Sequence, residues 1–501
     1  TESHQAAGDR SNDAIRVDGS ELRCRVVGEG GNLGFTQLGR IEFAASGGAI
    51  HADFIDNSGG VHCSDREVNL KILLGLAEER GELEREARNR LVTEVAANVT
   101  DAIIYDNFLQ AQILSQESAR SSTQIEAYEQ GIQLLESQAM LDRDIEFLPS
   151  TKEMTERNKD ARGMTKPELA VLLAYGKRSL YEALLGSDLV DHPYFENDLQ
   201  TYFPEPVVNR FRHIVVDHPL RRELIATIVA NQVMNSEGIT FVSRLMDQTG
   251  ADPAQVVKAY RIARAITGAG SRWSELEAAV ENIDADVLRE LIESVDWLVE
   301  TTARWFLNNP AGQQQIDQTI EQFAGDYEVL TESIGSTGAA AWQQARRDAT
   351  AALRSRGVPE RIAKQHSHIE DLVHAPDIIE LARQTGRSVG EVSGVFFRLG
   401  RAVRIDWLEA EAGRLEPTDR WERLAQQAAA ADLVVLRRRL AERVLAKAGS
   451  RSPRDAVRKY LAERSEAHGR VLVFMRQLAK EGIDSVDAVI VATRQIERNL
   501  A

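Results

Sequence analysis

The chain has 501 residues, with 60 basic and 77 acidic side chains and a net charge of −17, a balance that argues against nucleic acid or an acidic membrane surface as a partner. Its length exceeds what one hydrophobic core usually holds, so two to four domains or subdomains are expected. With Cys24 and Cys63 as the only cysteines, neither a disulfide framework nor a four-cysteine zinc site is available; with no apolar run near the roughly 20 residues of a membrane span and no signal-peptide pattern, a cytoplasmic location is expected.

Residues 1–20 are polar and read as a loop or helix end. A first strand is expected at about 22–27, followed by the loop Gly28-Glu29-Gly30-Gly31-Asn32-Leu33-Gly34. A short helical crossover from Thr36 to Ala45 leads to a second strand at about 50–56. The second loop is Asp56-Asn57-Ser58-Gly59-Gly60-Val61-His62-Cys63-Ser64. Two glycine-rich loops that leave parallel strands and each carry an Asn present backbone and an amide to a nucleotide, because glycine lets the chain turn tightly and a flat ligand approach it. Two parallel strands need neighbours and cover on both faces. The chain opens on Thr1, and a truncated start is expected, with missing sequence or another chain completing the sheet.

After Ser64 the period becomes helical. Val68, Leu70, Ile72, Leu73, Leu76 and Ala77 form an apolar face, with Ser64 and Glu67 placed as a capping box. A longer helix over 84–115 carries Leu91, Val95, Val99, Ile103 and Ile104. Further starts are marked by the box Thr165-Lys166-Pro167-Glu168, by Asp252-Pro253 and by Ser388 with Glu391. Pro193, Pro204, Pro206 and Pro219 punctuate a loop-rich stretch over 187–220. One internal similarity pairs Leu245-x-x-Gln248-Thr249-Gly250 with Leu381-x-x-Gln384-Thr385-Gly386, and Arg261-x-x-Arg264-Ala265 with Arg398-x-x-Arg401-Ala402. It reads as a repeated helix-turn-helix scaffold, each copy ending a helix at Gly and starting the next at Asp252 or Ser388. The fold class expected is mainly α: an incomplete Rossmann-like α/β segment at the N-terminus, then a large all-helical C-terminal region.

Taken alone, GEGGNLG misses the dinucleotide fingerprint by having Leu33 where a Gly belongs. Asp53 and Asp56 lie where a ribose-binding acid would fall, but the crossover is too short for the usual fingerprint helix. His366, His368 and His374 are not expected to bind metal, since two of them fall on different helix faces and no cysteine joins them. Cys63 reads either as a reactive thiol beside the loop or as a small packing residue. Arg437, Arg438 and Arg439 read as a solvated helix face.

The segment VVGEGGNLGFT resembles the Glu-Gly-Ala-Asn loop of glutamate dehydrogenases. DNSGGVHCS resembles their Asn-Ala-Gly-Gly-Val loop, with a Ser three residues further on. The stretch from Thr1 to Leu74, including CSDREVNLKILL, is similar to the large NAD-specific glutamate dehydrogenase family, and the similarity continues through RGMTKPELAVLLAY into the helical region. This chain has Gly31 and Ser58 where the smaller enzymes have Ala, and His62-Cys63 in a stretch usually without them.

The resemblance implies NAD as cofactor and L-glutamate or 2-oxoglutarate as substrate. Glu29, Gly30, Gly31 and Asn32 would border the dinucleotide, with Asn32 near the nicotinamide ribose. Asn57 would hydrogen-bond the carboxamide, and Gly59 and Gly60 would let the ring approach the backbone. Val61 would line the pocket for the substrate's aliphatic stem, and Ser64 would donate to a substrate carboxylate. A plain N-cap role for Ser64 and a turn role for Asn57 are the competing readings of the residues themselves. The resemblance places the catalytic Lys and Asp upstream of this sequence, so no catalytic residue is assigned here. It also implies a homotetramer and a division into residues 1–112, the end of the dinucleotide-binding domain, and 113–501, a helical domain. The alternative is a helical scaffold or oligomerisation module without its own nucleotide site.

Overall fold

The computed structural model describes residues 15–337, 340–417 and 420–501. The chain forms two compact units, one as far as Ala259 and one from Tyr260 onward, the boundary falling inside the helix Pro253–Thr267. Both are mainly helical, and among the described residues no helix is long and apolar enough to cross a membrane.

In the first unit the expected sheet is absent. Among the described residues there is one parallel bridge, Val26 to Ala49, in which the Val27 N–H donates to the Ala49 carbonyl and the Ala49 N–H to the Arg25 carbonyl, both at 2.9 Å. The Rossmann-like segment therefore has no strands here, and Asp53–Asp56, read from sequence as the end of a strand, is a helical turn. Two short parallel segments with no neighbour have too few ladder bonds to hold extended geometry beyond one contact. The crossover helix does form, as Gln37–Ala45, with the Thr36 hydroxyl accepting from the Gly39 N–H. Of the polar stretch 1–20, residues 1–14 lie outside the described part, and a 3-10 turn follows at Gly19–Glu21.

Helix Ser58–Glu79, with Asn57 at its N-cap, begins seven residues earlier than the capping-box reading placed it. Ser64 thus lies inside the helix and caps nothing, while Glu67 pairs with Lys71 one turn on. The early start is held from outside: the Asn107 amide donates to the Ile55 carbonyl (2.7 Å) and the Ser58 hydroxyl (3.0 Å), fixing the first turn. The next helix, Arg85–Ser121, runs antiparallel to it, as the pairs Gly59 with Ile103, Arg66 with Asp106 and Glu78 with Arg88 require. Lys166–Leu185 opens at the expected Thr165 and Glu168 box and buries Leu169, Ala170, Val171, Leu172 and Leu173 in succession. A helix apolar on all sides must be surrounded, and here Gln37–Ala45, Arg85–Ser121 and Arg221–Glu237 pack around it. The proline-punctuated stretch is more helical than expected, with short helices Glu196–Tyr202 and Glu205–Val215.

The second unit is built around helix Val389–Ala402, which packs against Ile316–Thr337, Ala375–Thr385, Arg420–Ala446 and Pro453–Ala462. The repeat forms as read: Gly250 and Gly386 close their helices in the left-handed region (φ 71° and 63°), and Asp252 and Ser388 cap the next ones, with Gln255 and Glu391 completing the boxes. The solvated-face reading fails at Arg437, which is 2% exposed and pairs with Asp406 (2.7 Å) and Glu409 (2.9 Å) beneath the Phe396 ring. Gly400 makes room for it, since a Cβ there would lie 2.7 Å from the guanidinium carbon.

Candidate functional site

The two glycine-rich loops come together. The Asn57 amide N–H₂ donates to the Asn32 side-chain carbonyl across 25 residues of sequence. Asn57 closes the turn Asp53–Asp56 and precedes the Ser58 helix with φ −99°, so its backbone is not left-handed and its side chain makes no cap bond. The turn and cap roles are thus not what engages this side chain. Each amide keeps groups to offer: the Asn57 carbonyl and its second N–H, and both N–H groups of Asn32. The pair therefore presents donors and an acceptor side by side, the complement of a primary carboxamide.

The first loop is fastened from beneath. The Glu29 and Leu33 backbone N–H groups donate to the Asp56 and Asp53 carboxylates, both at 2.9 Å. Asp56 also meets His51 Nδ1 at 3.1 Å; burial pushes its carboxyl up, but the bonds from His51 and the Glu29 N–H outweigh this and hold it below its ordinary value. Arg40, on the crossover helix, is buried against Glu29 (Nε to Oε2 2.6 Å, Nη2 to Oε1 2.9 Å) and reaches Asp53 at 3.2 Å. Burial alone would lower its basicity, and the two carboxylates raise it above its ordinary value. Asp53 and Asp56 thus act as fasteners of the loop. Glu29, 5% exposed, points inward, and its Oε1 also accepts from the Phe35 N–H at 3.1 Å.

Among the described residues nothing occupies the space over the outer glycines. A Cβ built at Gly30, Gly31 or Gly60 would meet no atom within 4 Å, and none of the three has positive φ. Their lack of a side chain is needed neither for packing nor for backbone strain, and it leaves open space beside the amides. Gly59 sits closer in, 3.7 Å from Ile103 by the same measure. Along the Ser58 helix, Val61 (71% exposed), Ser64 and Val68 share one outward face, opposite the buried Leu70, Leu73, Leu74 and Ala77. Cys63 is exposed and free, as is Cys24. Next to it, burial pushes the His62 imidazole below its ordinary basicity. Among the described residues no three His, Cys, Asp or Glu side chains cluster as metal ligands. His366 instead meets the Ser294 hydroxyl at 2.9 Å, and His374 packs on Phe396.

Sequence reasoning missed Arg40, His51 and Asn107. Arg40 had a readable signal, a lone cation in a short crossover between two acid-bearing loops. Asn107 lies 50 residues from the turn it clips and had none.

Comparison with known proteins finds two matching families. Residues 1–117 match the bacterial NAD-glutamate dehydrogenase catalytic domain, and residues 161–498 the glutamate dehydrogenase C-terminal family. The chain is 36% identical over 498 residues to the NAD-specific glutamate dehydrogenase of Halomonas elongata, covering 99% of this chain and 31% of that protein. It is 36% identical over 436 residues to the Pseudomonas aeruginosa protein of the same name (86% and 27%), and 32% over 502 residues to that of Mycobacterium tuberculosis (99% and 31%). The chain spans about a third of the length of these relatives. With the C-terminal family matched over more than half of its residues, the chain belongs to the glutamate dehydrogenase family.

Proposed function

We propose that the chain is a C-terminal part of an NAD-dependent glutamate dehydrogenase, an oxidoreductase that deaminates L-glutamate oxidatively to 2-oxoglutarate and ammonia. Bound NAD supplies the hydride acceptor. Residues 1–112 belong to the end of the dinucleotide-binding domain and 113–501 to a helical domain, within a cytoplasmic homotetramer.

One observation carries the reading: two loops that resemble the family's nucleotide loops meet through Asn32 and Asn57 beside open space over the outer glycines. In this reading Asn57 holds the nicotinamide carboxamide and Asn32 borders the ribose. Gly30, Gly31, Gly59 and Gly60 admit the ring, and Glu29 holds the loop's shape through Arg40. Val61 lies along the substrate's aliphatic stem, and Ser64 donates to a substrate carboxylate. Holding ring and reacting carbon in contact is where such a site contributes most to rate.

The test is titration of the full-length enzyme with NADH, followed by nucleotide fluorescence. Asn57→Ala is expected to weaken binding at least tenfold, and unchanged affinity overturns the site. A helical assembly module without a nucleotide site is the second reading, favoured by the extent of helix in both units; it predicts no response to the nucleotide in the wild-type protein either.

A further inference from the structure

A second recess lies in the second unit, between helix Val389–Ala402 and helix Pro453–Ala462. The two helices approach closely because residue 394 is Gly: a Cβ there would already touch the Pro453 ring at 3.0 Å. Below that contact they part around a cavity of about 310 Å³, bordered by Arg398 and Arg401 from one helix, Arg454 and Arg458 from the other, and the rings of Trp342 and Phe397. This volume lies at the lower end of the range for small-molecule sites.

The charge is out of keeping with the chain. Four arginine side chains border one recess of a protein with a net charge of −17, lining it largely with their apolar stems, and Arg398 is engaged within the chain. They stand at i,i+3 and i,i+4 spacing on their helices, where like charges repel. Arg458 has Asp455 at 3.0 Å. Arg401 and Arg454 form no ion pair among the described residues, and the Nη1 of Arg401 is buried without a hydrogen-bond partner. The internal repeat supplies a comparison. Arg264, the counterpart of Arg401, is satisfied within the chain, lying over the Trp273 ring at 4.7 Å and donating to the Tyr260 hydroxyl at 3.2 Å.

The floor is fixed by two buried rings, 5% and 6% exposed. Trp342 and Phe397 stack at 5.9 Å with 30° between their planes, and the indole N–H is tied to Asp371 at 3.2 Å. Planar guanidiniums suit phosphate and carboxylate through paired donors, and the ring edges, with Val457 and Leu461, suit an apolar body. We propose that this recess binds a small organic polyanion, a flat apolar or aromatic body carrying two or more phosphate or carboxylate groups. The proposal concerns a ligand separate from the dinucleotide at the Asn57 loops and does not depend on that site.

Two probes distinguish the phosphate from the carboxylate source: ADP and benzene-1,3,5-tricarboxylate. Each is titrated into the full-length protein in phosphate-free buffer, by calorimetry and tryptophan fluorescence, with pyrophosphate and adenosine as charge-only and body-only controls. Saturable one-to-one binding of at least one probe is expected, at least tenfold tighter than either control and weakened by added salt. Arg401→Ala and Arg454→Ala, both at positions with solvent access, should each weaken it at least tenfold while keeping the wild-type affinity for NADH; Trp342→Phe should abolish the fluorescence change. The proposal is overturned if neither probe binds at millimolar concentration, if pyrophosphate binds as tightly as the probes, or if binding persists undiminished in the arginine variants.

Discussion

At the scale of single residues, the loop site depends on side chains that face away from it. Asn32 and Asn57 were legible because bare asparagines in glycine-rich loops are unusual and match a known pattern. Their meeting depends on Asp53, Asp56, Glu29 and Arg40, whose pairing spans 11 to 27 residues. A sequence window shows acids near a loop but not which backbone N–H each accepts. The same limit applies to Arg437: an arginine run in an acidic chain reads as solvated, and only packing reveals the guanidinium sealed between Asp406, Glu409 and Phe396. The buried histidines give a testable consequence. Burial, with the nearby Arg272 cation, pushes His366 down to about 4, and burial with Arg346, Lys364 and Arg272 does the same to His368. A folded value below the unfolded one means that the unfolded chain binds the extra proton. Stability from these groups is therefore present above pH about 6.5 and lost as pH falls through about 4, by up to ~3 kcal/mol for His366 and by less for the more exposed His368. Asp371, pushed up to about 6 by burial, works in the opposite sense, so comparison with a variant isolates the histidine. His366→Gln should show a shallower fall in melting temperature between pH 6.5 and 4 than the wild type, and an identical slope would refute this reading.

At the scale of elements, the caps were the most readable features. A capping box is complete within four residues, so Thr165 with Glu168 and Ser388 with Glu391 are found where the pattern puts them. Ser64 with Glu67 has the same pattern and forms no cap, because Asn107 holds an earlier helix start in place. Glu168 shows a cap merged with tertiary structure. It accepts from the Thr165 N–H at 2.7 Å and from Arg157 through both oxygens at 2.8 and 2.9 Å, while being 1% exposed. Glu168→Ala removes the cap and leaves Arg157 without its buried partner, so a loss of about 3–5 kcal/mol is expected in denaturant melts. An exposed cap alone is worth about 1 kcal/mol, and a loss of that size would show the ion pair to be unimportant.

At the scale of the whole molecule, the chain spans about a third of its relatives' length. The reaction proposed here needs a proton-transferring lysine and aspartate that the resemblance places outside it. Purified protein of these 501 residues should accordingly produce no NADH from saturating glutamate, and clear turnover would refute the assignment of those roles elsewhere. By itself the sequence determined the family, the predominance of helix, the repeated helix-turn-helix and the two loops, because periodicity, caps and glycine-asparagine turns are written in short windows. Only the tertiary structure decided that the expected strands reduce to one bridge, that Ser58 opens the long helix, that the two loop amides touch and that four arginines share one recess. Each of these outcomes depends on groups far apart in the chain, whose desolvation and pairing are set only when the helices pack.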